Sequence, residues 1–146
     1  MALTCTIAVP MLSVVFTAMF STDDSNNGVA LSTRSTLQFD RAITNIGNGY
    51  NPHTGVFTAP LTGVYAFSLI VMVPRAHGPL RLSIMKQGAT LDRVFAPDTD
   101  NPEDQGSTLV TTQLAAGEQV WVQQHRGNAV RGSYWTVFTG YLLKAE

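Results

Sequence analysis

An all-β domain of about ten strands is predicted, because short apolar runs recur between Gly, Pro, Asn and Asp clusters. Two further observations agree. The central run from Gly63 to Val73 is rich in β-branched and aromatic residues, which suit a pleated surface. No window holds a sustained helical apolar period, so no long helix is expected. There is no internal repeat, no Gly-x-y run and no Pro/Ser linker. The whole chain, residues 1–146, therefore reads as one domain.

Met1 to Phe20 carries no charge. A signal peptide needs a positive n-region, and a membrane helix needs a long helix-compatible run. Here Thr4, Thr6, Ile7, Val9, Val14, Val15 and Thr17 are β-branched and Pro10 interrupts them, so a buried first strand is expected, without a membrane span. Ser21 to Gly28 is a polar loop, with Asp23-Asp24 supplying turn chemistry. In Gly63–Val73, Tyr65, Phe67, Leu69, Val71 and Val73 share one face, while Val64, Ala66, Ile70 and Met72 share the other. Such a strand is covered on both sides. Leu80, Leu82 and Ile84 alternate with Arg81, Ser83 and Met85 as a half-exposed strand. Lys86-Gln87-Gly88 turns the chain into a strand from Leu91 to Phe95. Thr108 to Leu114 follows, then a turn at Ala116-Gly117-Glu118, a strand from Gln119 to His125 and a last one from Ser133 to Lys144.

Composition narrows the function. Apolar residues make up 45% and charged residues 13%, with 9 Lys+Arg against 10 Asp+Glu and a net charge of -1. Disorder needs low hydrophobicity and high net charge, and nucleic-acid binding needs a basic excess, so both are excluded. The single cysteine, Cys5, excludes an intrachain disulfide and cysteine-rich zinc modules, and reads as a small buried apolar group. A surface with so few charges hints at subunits packed against each other.

The middle of the chain carries a recognisable spacing: Phe39, then Asn45, Tyr50, Phe57, Gly63, Tyr65 and Phe67. With Phe57-x-x-Pro60-x-x-Gly63-x-Tyr65, this run resembles the signature of the C1q domain, whose fold is shared with the tumour necrosis factor family. Leu114-Ala115-Ala116-Gly117-Glu118-Gln119-Val120-Trp121-Val122 resembles the family's Gly-Asp turn. The segments around Phe138-Thr139-Gly140-Tyr141 and Val14-Val15-Phe16-Thr17-Ala18 resemble its closing and opening strands. The resemblance spans residues 12–144. One departure is Leu69, where the family carries an aromatic; another is the missing collagen stalk. The resemblance implies a ten-strand jelly roll assembled as a homotrimer, with the uncharged first strand in the inner sheet near the threefold axis. It also implies an extracellular protein, although the chain shows no clear signal peptide.

Candidate sites follow. The loop from Ala96 to Ser107 gathers Asp98, Asp100, Glu103, Asp104 and Gln105, and calcium takes six to eight oxygen ligands. The loop fails as an EF-hand, because Pro102, Glu103 and Leu109 occupy positions that need other residues. Calcium-binding C1q-like heads use an acidic residue and an Asp-Gln pair here; Asp104-Gln105 matches the pair, and either Asp98 or Asp100 matches the first. A solvated acidic loop is the plain alternative. Trp121, Tyr134 and Trp135 offer aromatic surface for sugars or a protein partner. Arg126 and Arg131, with Arg75, Arg81 and Arg93, suit anionic groups. His53, His77 and His125 are scattered through turns with no metal-binding or triad spacing, and are expected to face solvent; no enzyme is expected. The resemblance implies a recognition protein for microbial surface polysaccharides or glycans, with avidity from three sites. The alternative is a cytokine-like or adipokine-like ligand of a protein receptor.

Overall fold

The computed structural model describes residues 13–22, 28–99, 101 and 103–146. Cys5, Pro10, Asp23, Asp24, Asp100 and Pro102 lie outside the described residues. Among those described, the strands are β1 (Val15–Met19), β2 (Val29–Ala30), β3 (Arg41–Ile46), β4 (Tyr50–Asn51), β5 (Val56–Thr58) and β6 (Gly63–Val73). They continue with β7 (Leu80–Lys86), β8 (Ala89–Ala96), β9 (Asp104–Leu114), β10 (Gln119–Arg126), β11 (Ala129–Val130) and β12 (Val137–Ala145). Two five-stranded antiparallel sheets result, in the order β3-β1-β12-β6-β9 and β4-β5-β10-β7-β8, with β11 and β2 as a short ribbon. The two sheets are the expected ten-strand sandwich.

The apolar core fills the space between the sheets, as strand alternation requires. From β6, Tyr65, Phe67, Leu69, Val71 and Val73 point inward; from the facing sheet come Leu80, Leu82, Ile84, Val120 and Val122. Aromatic rings dominate it: Phe16 lies 4.8 Å from Tyr50, 5.2 Å from Phe57 and 5.0 Å from Phe138, centroid to centroid. Each such buried ring contributes about 1.5–3 kcal/mol. Leu69 is fully buried, so the aliphatic side chain keeps its place in this layer.

The spaced signature residues serve this core. Asn45 Nδ2 donates to the Tyr50 carbonyl at 2.7 Å, and its Oδ1 accepts the Tyr50 N–H, closing the β3–β4 turn. The Tyr50 hydroxyl donates to the Phe39 carbonyl at 2.7 Å, and the Tyr65 hydroxyl to the Leu61 carbonyl at 2.7 Å, so both buried phenols are satisfied. Gly63 opens β6 against the Lys144 carbonyl, where a side chain would not fit.

Two boundaries differ from expectation. β9 starts at Asp104, several residues before Thr108, because it pairs with β6 along its whole length up to Val73. The last strand starts at Val137, since Ser133–Trp135 form a 3-10 turn. Ser133 has φ 47, a left-handed conformation that breaks an extended chain. The expected hairpin stands, with Gln87 (φ 52) and Gly88 (φ 86) both left-handed, as a two-residue turn between right-twisted strands requires.

Candidate binding surfaces

The outward face of the first sheet is built by the same alternation that fills the core. β1 turns Val15 and Thr17 outward, β12 Val137, Thr139 and Tyr141, β6 Ala66, Ser68 and Ile70, and β9 Leu109 and Thr111. None of these side chains carries a charge, and Ile70 and Leu109 stand 44% and 64% exposed. At the β3 edge Ile43 and Ile46 are also exposed. So much apolar and hydroxyl surface on one sheet face marks a contact surface.

At one end of this sheet the 3-10 turn exposes Tyr134 and Trp135, at 67% and 48%. The Arg41 guanidinium sits 5.7 Å from the Tyr134 ring centroid, a cation–π contact that orients the ring. The backbone N–H of Arg131 donates to the Met72 carbonyl at 2.8 Å. Arg126 lines a hollow of about 370 Å³ with Gln124, His77, Pro79 and Asn128. Trp121 is half-buried on the outward face of the second sheet, opposite core residues Val120 and Val122 as alternation required. The candidate aromatic residues thus fall on two surfaces, Tyr134 and Trp135 at the end of the first sheet and Trp121 on the second sheet.

One histidine departs from the solvent-facing expectation, while His77 keeps a surface contact. His77 Nδ1 lies 2.9 Å from Asn128 Oδ1. His125 belongs to β10 and not to a turn, and its Nε2 is covered without a hydrogen-bond partner. Burial and then the charges of Arg93, Arg34 and Arg81 hold its imidazole below the ordinary histidine range.

In the acidic loop the Asp104 carboxylate is engaged locally. The Thr99 N–H donates to it at 2.9 Å and the Thr99 hydroxyl at 2.8 Å. Asn101 and Glu103 complete the turn, the Glu103 N–H donating to Asn101 Oδ1 at 3.0 Å. Asp98 and Gln105 are exposed. Among the described residues no three His, Cys, Asp or Glu side chains come together as a metal site.

Comparison with known proteins agrees with the architecture. The sequence profile of the C1q domain matches residues 15–143. The chain is 33% identical over 109 residues to zebrafish (Danio rerio) Caprin-2, covering 73% of this chain and 12% of that protein. It is 31% identical over 136 residues to mouse (Mus musculus) complement C1q tumor necrosis factor-related protein 3, covering 92% of this chain and 52% of that one. The chain thus spans about half or less of these relatives. Among solved structures it superposes on the globular domain of zebrafish complement 1qA with a TM-score of 0.75 at 17% identity, covering 91% of this chain and 99% of that one. Murine APRIL gives 0.70 at 14%, covering 90% and 99%. Eiger TNF of S. frugiperda gives 0.70 at 13%, covering 92% and 94%. These structural likenesses concern the fold. The chain belongs to the C1q domain family, with the jelly roll that this family shares with tumour necrosis factors.

Proposed function

We propose that this chain is a non-enzymatic recognition head, acting outside the cell as a homotrimer that binds microbial surface polysaccharides or other glycans in innate defence. The observation that carries the reading is the exposed Tyr134–Trp135 pair beside the uncharged sheet face. The uncharged face supports association of three copies through head-to-tail contacts that close into a ring. The exposed rings, Tyr134 in contact with Arg41, suit stacking on sugars, and three copies convert weak single contacts into avidity. No helix among the described residues is long and apolar enough to cross a membrane.

Binding of the purified protein to a panel of microbial polysaccharides and glycans, with calcium and with chelator, tests the reading. Saturable binding that free sugar competes away, and that Trp135→Ala weakens at least tenfold, is expected. Light scattering should give about 47 kDa, three times the 15.8 kDa chain. A single-chain mass at micromolar concentration, or the absence of glycan binding, overturns it. The second reading, a trimeric ligand of a protein receptor, is favoured by exposed Ile43 and Ile46 at the sheet edge, which offer an apolar contact.

A further inference from the structure

We propose that the outward face of the second sheet is an anion site for polysaccharides bearing carboxylate or sulfate groups, formed by Arg34, Arg81 and Arg93 around His125.

Strand alternation assembles it. Leu80, Leu82 and Ile84 enter the core, so β7 turns Arg81, Ser83 and Met85 outward. On β8 Val94 and Ala96 are buried and Arg93 and Phe95 face out; on β10 Trp121, Gln123 and His125 do. Register then places Ser83 between Gln123 and Arg93, and Arg81 opposite Phe95, its guanidinium 5.9 Å from the ring centroid. The β10–β7 register slips between Gln124 and Arg126, so His125 stands at a bulge, a device that re-aims side chains at sites.

Arg34 joins from a different part of the chain. Its segment pairs with β10 through Thr36 and Gln123. Arg34 has φ 57, a left-handed conformation that costs a non-glycine residue energy. It is pinned from beneath: its N–H donates to Gln124 Oε1 at 2.8 Å, while Gln124 Nε2 donates to the Gly127 carbonyl at 2.7 Å. Gln124 is buried, so the turn that presents Arg34 is preorganised.

The cluster lacks counter-charge. Among the described residues no carboxylate forms an ion pair with Arg34, Arg81 or Arg93. The neighbouring acid, Asp92, is engaged by the Thr108 hydroxyl and by the Arg93 backbone N–H. Two covered polar atoms on this face, Ser83 Oγ and His125 Nε2, have no hydrogen-bond partner, and Ser83 is fully buried. Gathered like charges over unsatisfied polar atoms are unfavourable in the free protein. An oxyanion answers the charge deficit, accepting from the guanidinium forks.

A sugar polymer fits better than a compact ion. Trp121 and Phe95 add aromatic surface to the same face, and Trp121 and His125 lie about 13 Å apart along β10 at strand rise. An extended, acidic polysaccharide can stack its rings there while its charged groups meet the arginines.

The site deepens the recognition reading and rests on it. It is tested on the full chain with dextran sulfate, polygalacturonate, neutral dextran and inorganic sulfate by titration calorimetry. Dextran sulfate or polygalacturonate should bind and neutral dextran should not; which of the two binds tighter identifies sulfate or carboxylate as the group read. Arg34→Gln and Arg93→Gln should each weaken binding about tenfold, whereas Lys144→Gln, on the other sheet, should leave it within about twofold. Affinity should rise from about pH 8 to about pH 6 in the wild type and much less in His125→Gln, because a bound anion favours the imidazolium against Arg34, Arg81, Arg93 and Arg126. Equal losses in all three charge variants would mean diffuse polyanion attraction and overturn the site, as would binding of inorganic sulfate alone or of none of the probes. Neutral glycans bound with no acidic polymer bound would remove this site and leave the recognition reading standing.

Discussion

Gly140 lies opposite Phe16 on one neighbouring strand and Phe67 on the other, and a Cβ at this position would come within 2.5 Å of a Phe16 ring carbon and 2.8 Å of Phe67. The missing side chain lets the two rings approach to 6.5 Å across β12. Gly140→Ala forces both rings off their rotamers in a close-packed core. We expect a loss of about 1–3 kcal/mol in chemical denaturation, with the slope unchanged. An unchanged midpoint would mean that the core yields more freely than its packing implies.

The Tyr50 hydroxyl is buried and donates to the Phe39 carbonyl, and burial pushes the phenol far above its ordinary titration range. Tyr50→Phe keeps the ring stacked on Phe16 but removes the carbonyl's partner. A loss of about 1–2 kcal/mol is expected, with little change in near-ultraviolet ring signals from Phe16 and Phe57. A neutral substitution would show that the Phe39 carbonyl finds another donor.

Ser83 is the opposite case. Its hydroxyl is fully buried with no partner, so Ser83→Ala removes an unsatisfied group at almost constant shape. The free protein should gain about 1 kcal/mol in thermal or chemical unfolding. A loss of stability would show that the hydroxyl is satisfied in solution.

The pH dependence of stability has a definite sign at His125. The folded-state pKa lies below the unfolded value, so the unfolded chain binds more protons in the window between them. Its contribution is complete above about pH 6.5 and is lost as the pH falls through the folded value. Relative to His125→Gln, the wild type should therefore lose stability on acidification. Proton titration by nuclear magnetic resonance should move the imidazole back up in Arg93→Gln. An unmoved titration would separate Arg93 from this histidine.

In the acidic loop, Thr99 already occupies the Asp104 carboxylate. Asp104→Asn should reduce hydrogen-exchange protection of the Thr99 amide equally in calcium and in chelator. A difference between the two conditions would locate the ion at this loop.

The long apolar strands and the family are legible in the sequence, because both rest on local patterns. Alternation in Gly63–Val73 and in Leu80–Ile84 states which side chains are apolar neighbours on one face, whatever the strand later pairs with. The spacing from Phe39 to Phe67 was legible for the same reason, and those aromatic side chains did enter the core. Strand pairing across the chain was not legible. Arg34, Arg81, Arg93 and His125 come from separate segments and meet only because β10 pairs with β7, β7 with β8, and the 33–36 turn with β10. Arg34 carried no signal of its own, since a left-handed arginine is imposed by its hydrogen bond to Gln124 and not by its residue type. The setting of His125 was not legible because its burial, and then the arginines near it, come from other segments. The expected strand at Ser133–Trp135 failed for a related reason: Ser133 adopts a left-handed conformation that its residue type does not demand. Local periodicity is encoded residue by residue, whereas charge convergence and backbone strain are set by long-range register, which only the tertiary structure decided.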